Sequence, residues 1–158
     1  MSDFSNRFYS SRTVITAAIA FAIAAAVYVH TMVYGVCFLD TGEFQTATYV
    51  LGITHPTGYP LFTIAGKIFG TLVPIGEWAF RMNLMSVVCV AASVAMLAIV
   101  AIRFGASPAV ALAAALTFGF ALNVWKTSGH ADPYTLTLII GAALWVLAFK
   151  WADTGERK

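Results

Sequence analysis

Two carboxylates and a histidine crowd into a short stretch of this sequence. Asp40 and Glu43 stand three residues apart, and His55 opens the run His55-Pro56-Thr57-Gly58-Tyr59-Pro60. A helix starting at Thr41 puts both carboxylates at its N-terminal end and roughly on one side. Two readings follow. Asp40 as N-cap with Glu43 three positions on has the form of a capping box, in which each side chain satisfies a free amide of the first turn. The chemical reading is a reactive carboxylate at a membrane interface. All three histidines (His30, His55 and His130) fall near the same membrane face as Asp40, Glu43, Glu77 and Asp132. Polar residues near membrane depth are expensive and tend to serve pathways or sites. Cys37 and Cys89 have no metal-ligand spacing, and no metal is assigned.

The elements that must position these residues follow from composition. The chain has 158 residues, 60% of them apolar and 10% charged, with a mean hydropathy of +0.83. Soluble domains run at about 25% charged, so a soluble enzyme and a disordered chain are excluded. The net charge of +2 offers no basic tract, which excludes a nucleic-acid partner. The chain reads as an all-α polytopic membrane protein with membrane lipids around it. Residues 1–12 form a cytoplasmic head, 13–150 a single transmembrane domain and 151–158 a cytoplasmic tail. Four spans are expected, over 13–39, 82–102, 108–125 and 133–149, since each needs roughly 20 residues. Pro108 and Pro133 suit first helical turns, with Ser107 and Asp132 as N-caps. The outer loop 40–81 carries two short interfacial helices, Thr41–Gly52 and Leu61–Val73, around the rigid His55–Pro60 break. Gly66 and Gly70 form a GxxxG in the second. With Arg7, Arg12, Arg103, Lys150, Arg157 and Lys158 on one side and Lys67, Arg81 and Lys126 on the other, the positive-inside rule places both termini in the cytoplasm. His130 and Asp132 then occupy a short outer turn that needs only solvation. The expected location is a bacterial inner membrane.

The stretch Asp40-Thr41-Gly42-Glu43-Phe44, followed by His55-Pro56-Thr57-Gly58-Tyr59-Pro60-Leu61, resembles the D-[ST]-G-E-F…H-P-T-G-Y-P-L pattern of a family of polytopic membrane proteins. That family is grouped with GT-C glycosyltransferases and protein O-mannosyltransferase-like proteins. Arg81-Met82-Asn83-Leu84-Met85-Ser86 is similar to the family's entry to its second helix, and Ala131-Asp132-Pro133-Tyr134 to a segment that usually reads A-E-V-Y. The resemblance implies a polyprenyl-phosphate sugar as donor and a catalytic role for Asp40, with Glu43, at the acceptor. It also implies that His55 and Lys67 lie near the phosphate leaving group, with Tyr59 among the substrate contacts.

Members of that family are several times longer, and GT-C folds use at least seven conserved transmembrane helices. The expectation from this length is an accessory, structural subunit of a larger membrane complex of respiratory or photosynthetic type. Such a subunit has other integral-membrane subunits as partners, no cofactor and no chemistry of its own. The alternative is a module of a lipid-linked sugar transferase acting on the outer face.

Overall fold

The computed structural model describes residues 10–155. Arg7, Arg157 and Lys158, which enter the orientation argument, lie outside the described residues. Among the described residues there are seven helices and the chain is all-α: α1 (Ser11–Thr31), α2 (Leu39–Val50), α3 (Pro60–Leu72), α4 (Trp78–Arg103), α5 (Pro108–Gly119), α6 (Leu122–Ser128) and α7 (Pro133–Gly155). α1, α4 and α7 are long and apolar enough to cross a membrane, and α5 with α6 adds a fourth if that bent pair is one span. This is a polytopic integral membrane protein.

The central helix is α4, which packs against α1, α5 and α7. Ala20, Ala24 and Tyr28 line one face of α1 at four-residue spacing. They are buried against Val87, Val90, Ala91, Val94 and Ala98 of α4 and Ala115 of α5. Lipid offers helices little hydrophobic drive to associate, so this seam depends on small side chains that let backbones close up. A second cluster joins Phe44 of α2, Phe62 of α3, Met82, Met85 and Cys89 of α4, and Ala131. The segment between the first two long helices is therefore packed onto the end of α4. Its GxxxG closes that packing. A Cβ on Gly66 would fall 2.5 Å from Thr48 Cγ2, and one on Gly70 would fall 2.7 Å from Trp78.

Two elements differ from the sequence expectation, each for a local reason. The apolar run continues to Leu39, but α1 stops at Thr31. Beyond it the backbone leaves the helical ladder for other elements, the Val33 amide donating to the Gly129 carbonyl at 2.9 Å. Asn83 Nδ2 donates to the carbonyls of Val33 (2.7 Å) and Gly35 (3.2 Å), and the Cys37 amide donates to Gln45 Oε1 (3.1 Å). The expected span 108–125 is broken, with α5 and α6 meeting at 70°. The Gly119 carbonyl accepts from the Tyr28 hydroxyl at 2.6 Å, and Trp125 Nε1 ties α6 to Thr31 Oγ1 at 3.0 Å. A side chain at Gly119 would strike Val94 and the Tyr28 hydroxyl.

Asn83 is fully buried and uses its whole amide. Besides the two carbonyls above, its Oδ1 accepts from Gln45 Nε2 and from the Ala131 amide, both at 2.9 Å. Asn83→Ala takes their side-chain partner from the buried Ala131 amide and from the Val33 carbonyl, and a buried polar group left unpaired costs about 1–3 kcal/mol. The thermal midpoint of the purified protein should drop sharply. Ile53→Ala, at a position 92% exposed, should leave it within error.

Candidate functional site

The site is built where α2, the His55–Pro60 turn and the Ala131–Tyr134 turn converge. Asp40 lies in the first turn of α2 and is exposed. Gly42 is required behind it, because a Cβ there would collide with the Cys37 carbonyl oxygen. The turn at 55–58 is closed by the Gly58 amide donating to the His55 carbonyl at 2.8 Å, with Gly58 at φ +86°, a conformation glycine adopts without steric cost. Tyr59 enters α3 at φ +40°.

The capping box does not form. The N-cap of α2 is Phe38, with no side-chain cap bond. Glu43 instead reaches across to the turn. Its Oε1 accepts from the His55 backbone amide at 2.7 Å, and its Oε2 pairs with His55 Nδ1 at 2.7 Å. Phe44 supports the pair from below, its ring 5.4 Å from that of His55 and 5.3 Å from that of Tyr59. Asp40, Glu43 and His55 each offer a ligand atom within 4.8 Å of the others.

Hydrogen bonding to His55 lowers the Glu43 carboxyl below its ordinary value of 4.5. The bond from Glu43, aided by its charge and that of Asp40, raises His55 above 6.5. The two carboxylates thus favour the charged form of His55. The side chains keep 37% and 39% exposure, so solvent screens the pair.

Of the other predicted residues, Tyr59 joins the cluster, its ring 5.6 Å from His55. Lys67 does not. Its ammonium donates to the Tyr49 carbonyl and sits 5.0 Å over the Trp78 ring. Tyr49 stands nine residues along α2 from Asp40, about 14 Å at helical rise.

The residues missed by sequence reasoning are Asp132 and Tyr134. Asp132 is only 15% exposed, which corrects the solvated turn expected there. Its amide donates to Ser86 Oγ at 3.3 Å. It caps α7 as expected, Oδ1 accepting from the Tyr134 amide at 2.8 Å, while Oδ2 stands 3.7 Å from His130 Nε2. Burial raises its carboxyl above the ordinary 3.8, against the lowering effect of Tyr134 and His130. Burial also raises the Tyr59 phenol, as do the neighbouring Tyr134 hydroxyl and the fields of Asp132 and Asp40. Tyr59 is the common neighbour of both carboxylate sets. The resemblance of residues 131–134 to A-E-V-Y was the available signal.

Residues 40–158 match the profile of the family described as the protein O-mannosyl-transferase TMEM260 N-terminal domain. The chain belongs to this family. It is 33% identical over 138 residues to a mouse protein O-mannosyl-transferase TMEM260, an alignment covering 87% of this chain and 20% of that protein. A Dictyostelium discoideum protein of the same description is 32% identical over 76 residues, covering 47% of this chain and 9% of that protein. The chain spans about a fifth of the length of the mouse relative. No solved structure matches.

These matches correct three expectations. The accessory subunit of a respiratory or photosynthetic supercomplex gives way, because the matched family is named for a transferase. The reading that set enzymatic chemistry aside falls with it. Length was the wrong guide, since relatives named as enzymes align with this chain over a small part of their own length. The relatives are eukaryotic, so they lend no support to a bacterial inner membrane.

The Glu43–His55 pair gives a signed pH dependence. The contribution of His55 is complete below 6.5 and is lost as pH rises through its raised value. The contribution of Glu43 is present above 4.5 and is lost as pH falls through its lowered value. Both are complete between 4.5 and 6.5. An NMR titration of the His55 ring should give a midpoint above 6.5. Glu43→Gln should bring that midpoint down.

Proposed function

We propose that this chain is the N-terminal module of a membrane protein O-mannosyltransferase, moving a mannosyl group from a polyprenyl-phosphate donor to a protein hydroxyl on the non-cytoplasmic face. The observation that carries this reading is the family match over residues 40–158, which begins at Asp40 itself. The geometry supports it. Asp40 is exposed where an acceptor hydroxyl can be met and oriented. The Glu43 bond raises His55, and a protonated imidazole turned toward a departing phosphate oxygen would stabilise the charge that develops there. Tyr59 borders the same space. A cavity of about 490 Å³ lined by Leu51, Ile53, Gly58, Pro60 and Ile64, among others, offers apolar wall beside the turn for a lipid chain.

The topology belonging to this proposal has four spans, with α5 and α6 as one bent crossing. The domain runs from 13 to 150, the termini are cytoplasmic and the loop 40–81 lies on the opposite face. The remainder of a transferase supplies the further helices around the donor.

Two measurements test the reading. A cysteine placed at Thr57 should react with an impermeant reagent from the non-cytoplasmic face, and one at Thr154 should not. In membranes carrying the protein, Asp40→Asn should lower mannosyl transfer by about 100-fold, the scale expected when a reacting group is misplaced. Expression and thermal midpoint should be unchanged. Full transfer by the Asn variant would remove Asp40 from the reaction.

A further inference from the structure

A second cavity, of about 250 Å³, lies away from the candidate site, between the end of α1 and α6. Its walls include Thr31 and Val33 on one side, Leu122, Trp125 and Lys126 of α6 on the other, and His130. Pockets for drug-sized ligands run to about 300–1,000 Å³, so this one takes a small group and not a whole substrate. The wall is fixed, because Trp125 Nε1 donates to Thr31 Oγ1 at 3.0 Å.

Lys126 is the unexplained group in that wall. Lys67 and Arg81 donate to the carbonyls of Tyr49 and Gly70. The Lys126 ammonium makes no hydrogen bond, ion pair or ring contact among the described residues. In a soluble protein an exposed lysine needs no partner. This one stands on α6, in the bent pair that together is long and apolar enough for a span. Leu122, 66% exposed, and Trp125, 39% exposed, lie on the same helical face, one turn before it. An ammonium beside lipid-facing apolar groups is expensive unless it reaches an anion, and lysine stems extend to bring that charge to headgroup level. Tryptophan is the side chain that marks the same level.

We propose that this cavity holds the phosphodiester of an anionic glycerophospholipid. The Lys126 ammonium donates to the phosphate, His130 forms the polar wall beside it, and the acyl chains run down past Leu122 and Trp125. Charge complementarity selects the occupant. Asp132 Oδ2 is 3.7 Å from His130 Nε2, so a carboxylate already stands by the histidine, and Lys126 is the cation left for the ligand. A phospholipid without a cationic headgroup leaves its phosphate charge for that ammonium. The lipid joins the end of α1 to α6 at the corner where the α5–α6 crossing bends by 70°, and ligand bound to the folded state raises its stability.

The test uses the purified protein in mild detergent, with phosphatidylglycerol, phosphatidylcholine or inorganic phosphate added. Native mass spectrometry reads the lipid retained, and the thermal midpoint reads its effect. Phosphatidylglycerol should be retained and should raise the midpoint, phosphatidylcholine should do so more weakly, and phosphate alone should not. Lys126→Gln, at an exposed position, should fold normally and bind phosphatidylglycerol at least about tenfold more weakly, the scale of one hydrogen bond to a charged group. Arg12→Gln, which removes an exposed cation at the start of α1, should bind like wild type. If Lys126→Gln does not accumulate, Leu122→Gln provides the second variant and should weaken retention by removing the apolar wall. Equal retention in wild type and Lys126→Gln overturns the proposal. So does a midpoint shift reproduced by inorganic phosphate, or retention of a polyprenyl phosphate to the exclusion of phosphatidylglycerol. None of these outcomes bears on mannosyl transfer, so the transferase reading stands or falls separately.

Discussion

The carboxamide of Asn83 is the interaction on which the rest of this structure depends. It is fully buried one turn into α4, and it bonds to three different parts of the chain: the backbone after α1, Gln45 of α2 and the Ala131 amide before α7. A buried polar group must be satisfied or it costs free energy. That requirement, met in full, dictates where three segments lie. The first apolar run leaves its helix early because its carbonyls at 33 and 35 bond to Asn83. The helix α2 is drawn onto α4 through Gln45. The turn carrying Asp132 is seated by Asn83 and, one helical turn further along α4, by Ser86. Small residues close the remaining gaps, at Gly66 and Gly70 against Thr48, Met82 and Trp78.

Positioning by one helix has an electrostatic consequence. The titratable residues around the site fall into two sets, and a carboxylate from each acts on Tyr59. In one, the Glu43–His55 hydrogen bond lowers the Glu43 carboxyl and raises the His55 imidazole, with Asp40 beside them. In the other, Asp132 is pushed by burial towards the neutral form, with His130 opposing.

Much of this was legible in the sequence. The apolar runs and charges located the long helices, Pro60 and the His55–Pro60 turn marked where the loop helices part, and the Asp40–Glu43 and His55–Tyr59 motifs named the cluster that forms. What could not be read is tertiary. Nothing in the continuous apolar run 108–125 announces its break, which depends on the Tyr28 hydroxyl meeting the Gly119 carbonyl across the bundle. The capping-box pattern of Asp40 and Glu43 was locally sound, but a shorter reach to His55 across the loop prevailed. Lys67 shares the loop with the cluster yet faces Tyr49 and Trp78 at the far end of α2. Asp132 sits in a short polar turn, where periodicity carries no information about burial. Function was misjudged for a different reason: relatives named as transferases align with this chain over a small part of their own length, so chain length is no guide to function.

The central claim is that Asn83 positions both halves of the site at once. Amide hydrogen exchange at Cys37 and Ala131 tests it most directly. The Ala131 amide bonds to Asn83 itself, whereas that of Cys37 bonds to Gln45, which Asn83 holds. In Asn83→Ala, under conditions where the helices persist, both amides should lose protection together while the core of α4 at Val90 and Val94 keeps it. Loss at Ala131 with Cys37 still fully protected would contradict the account, because the two halves would then be held independently.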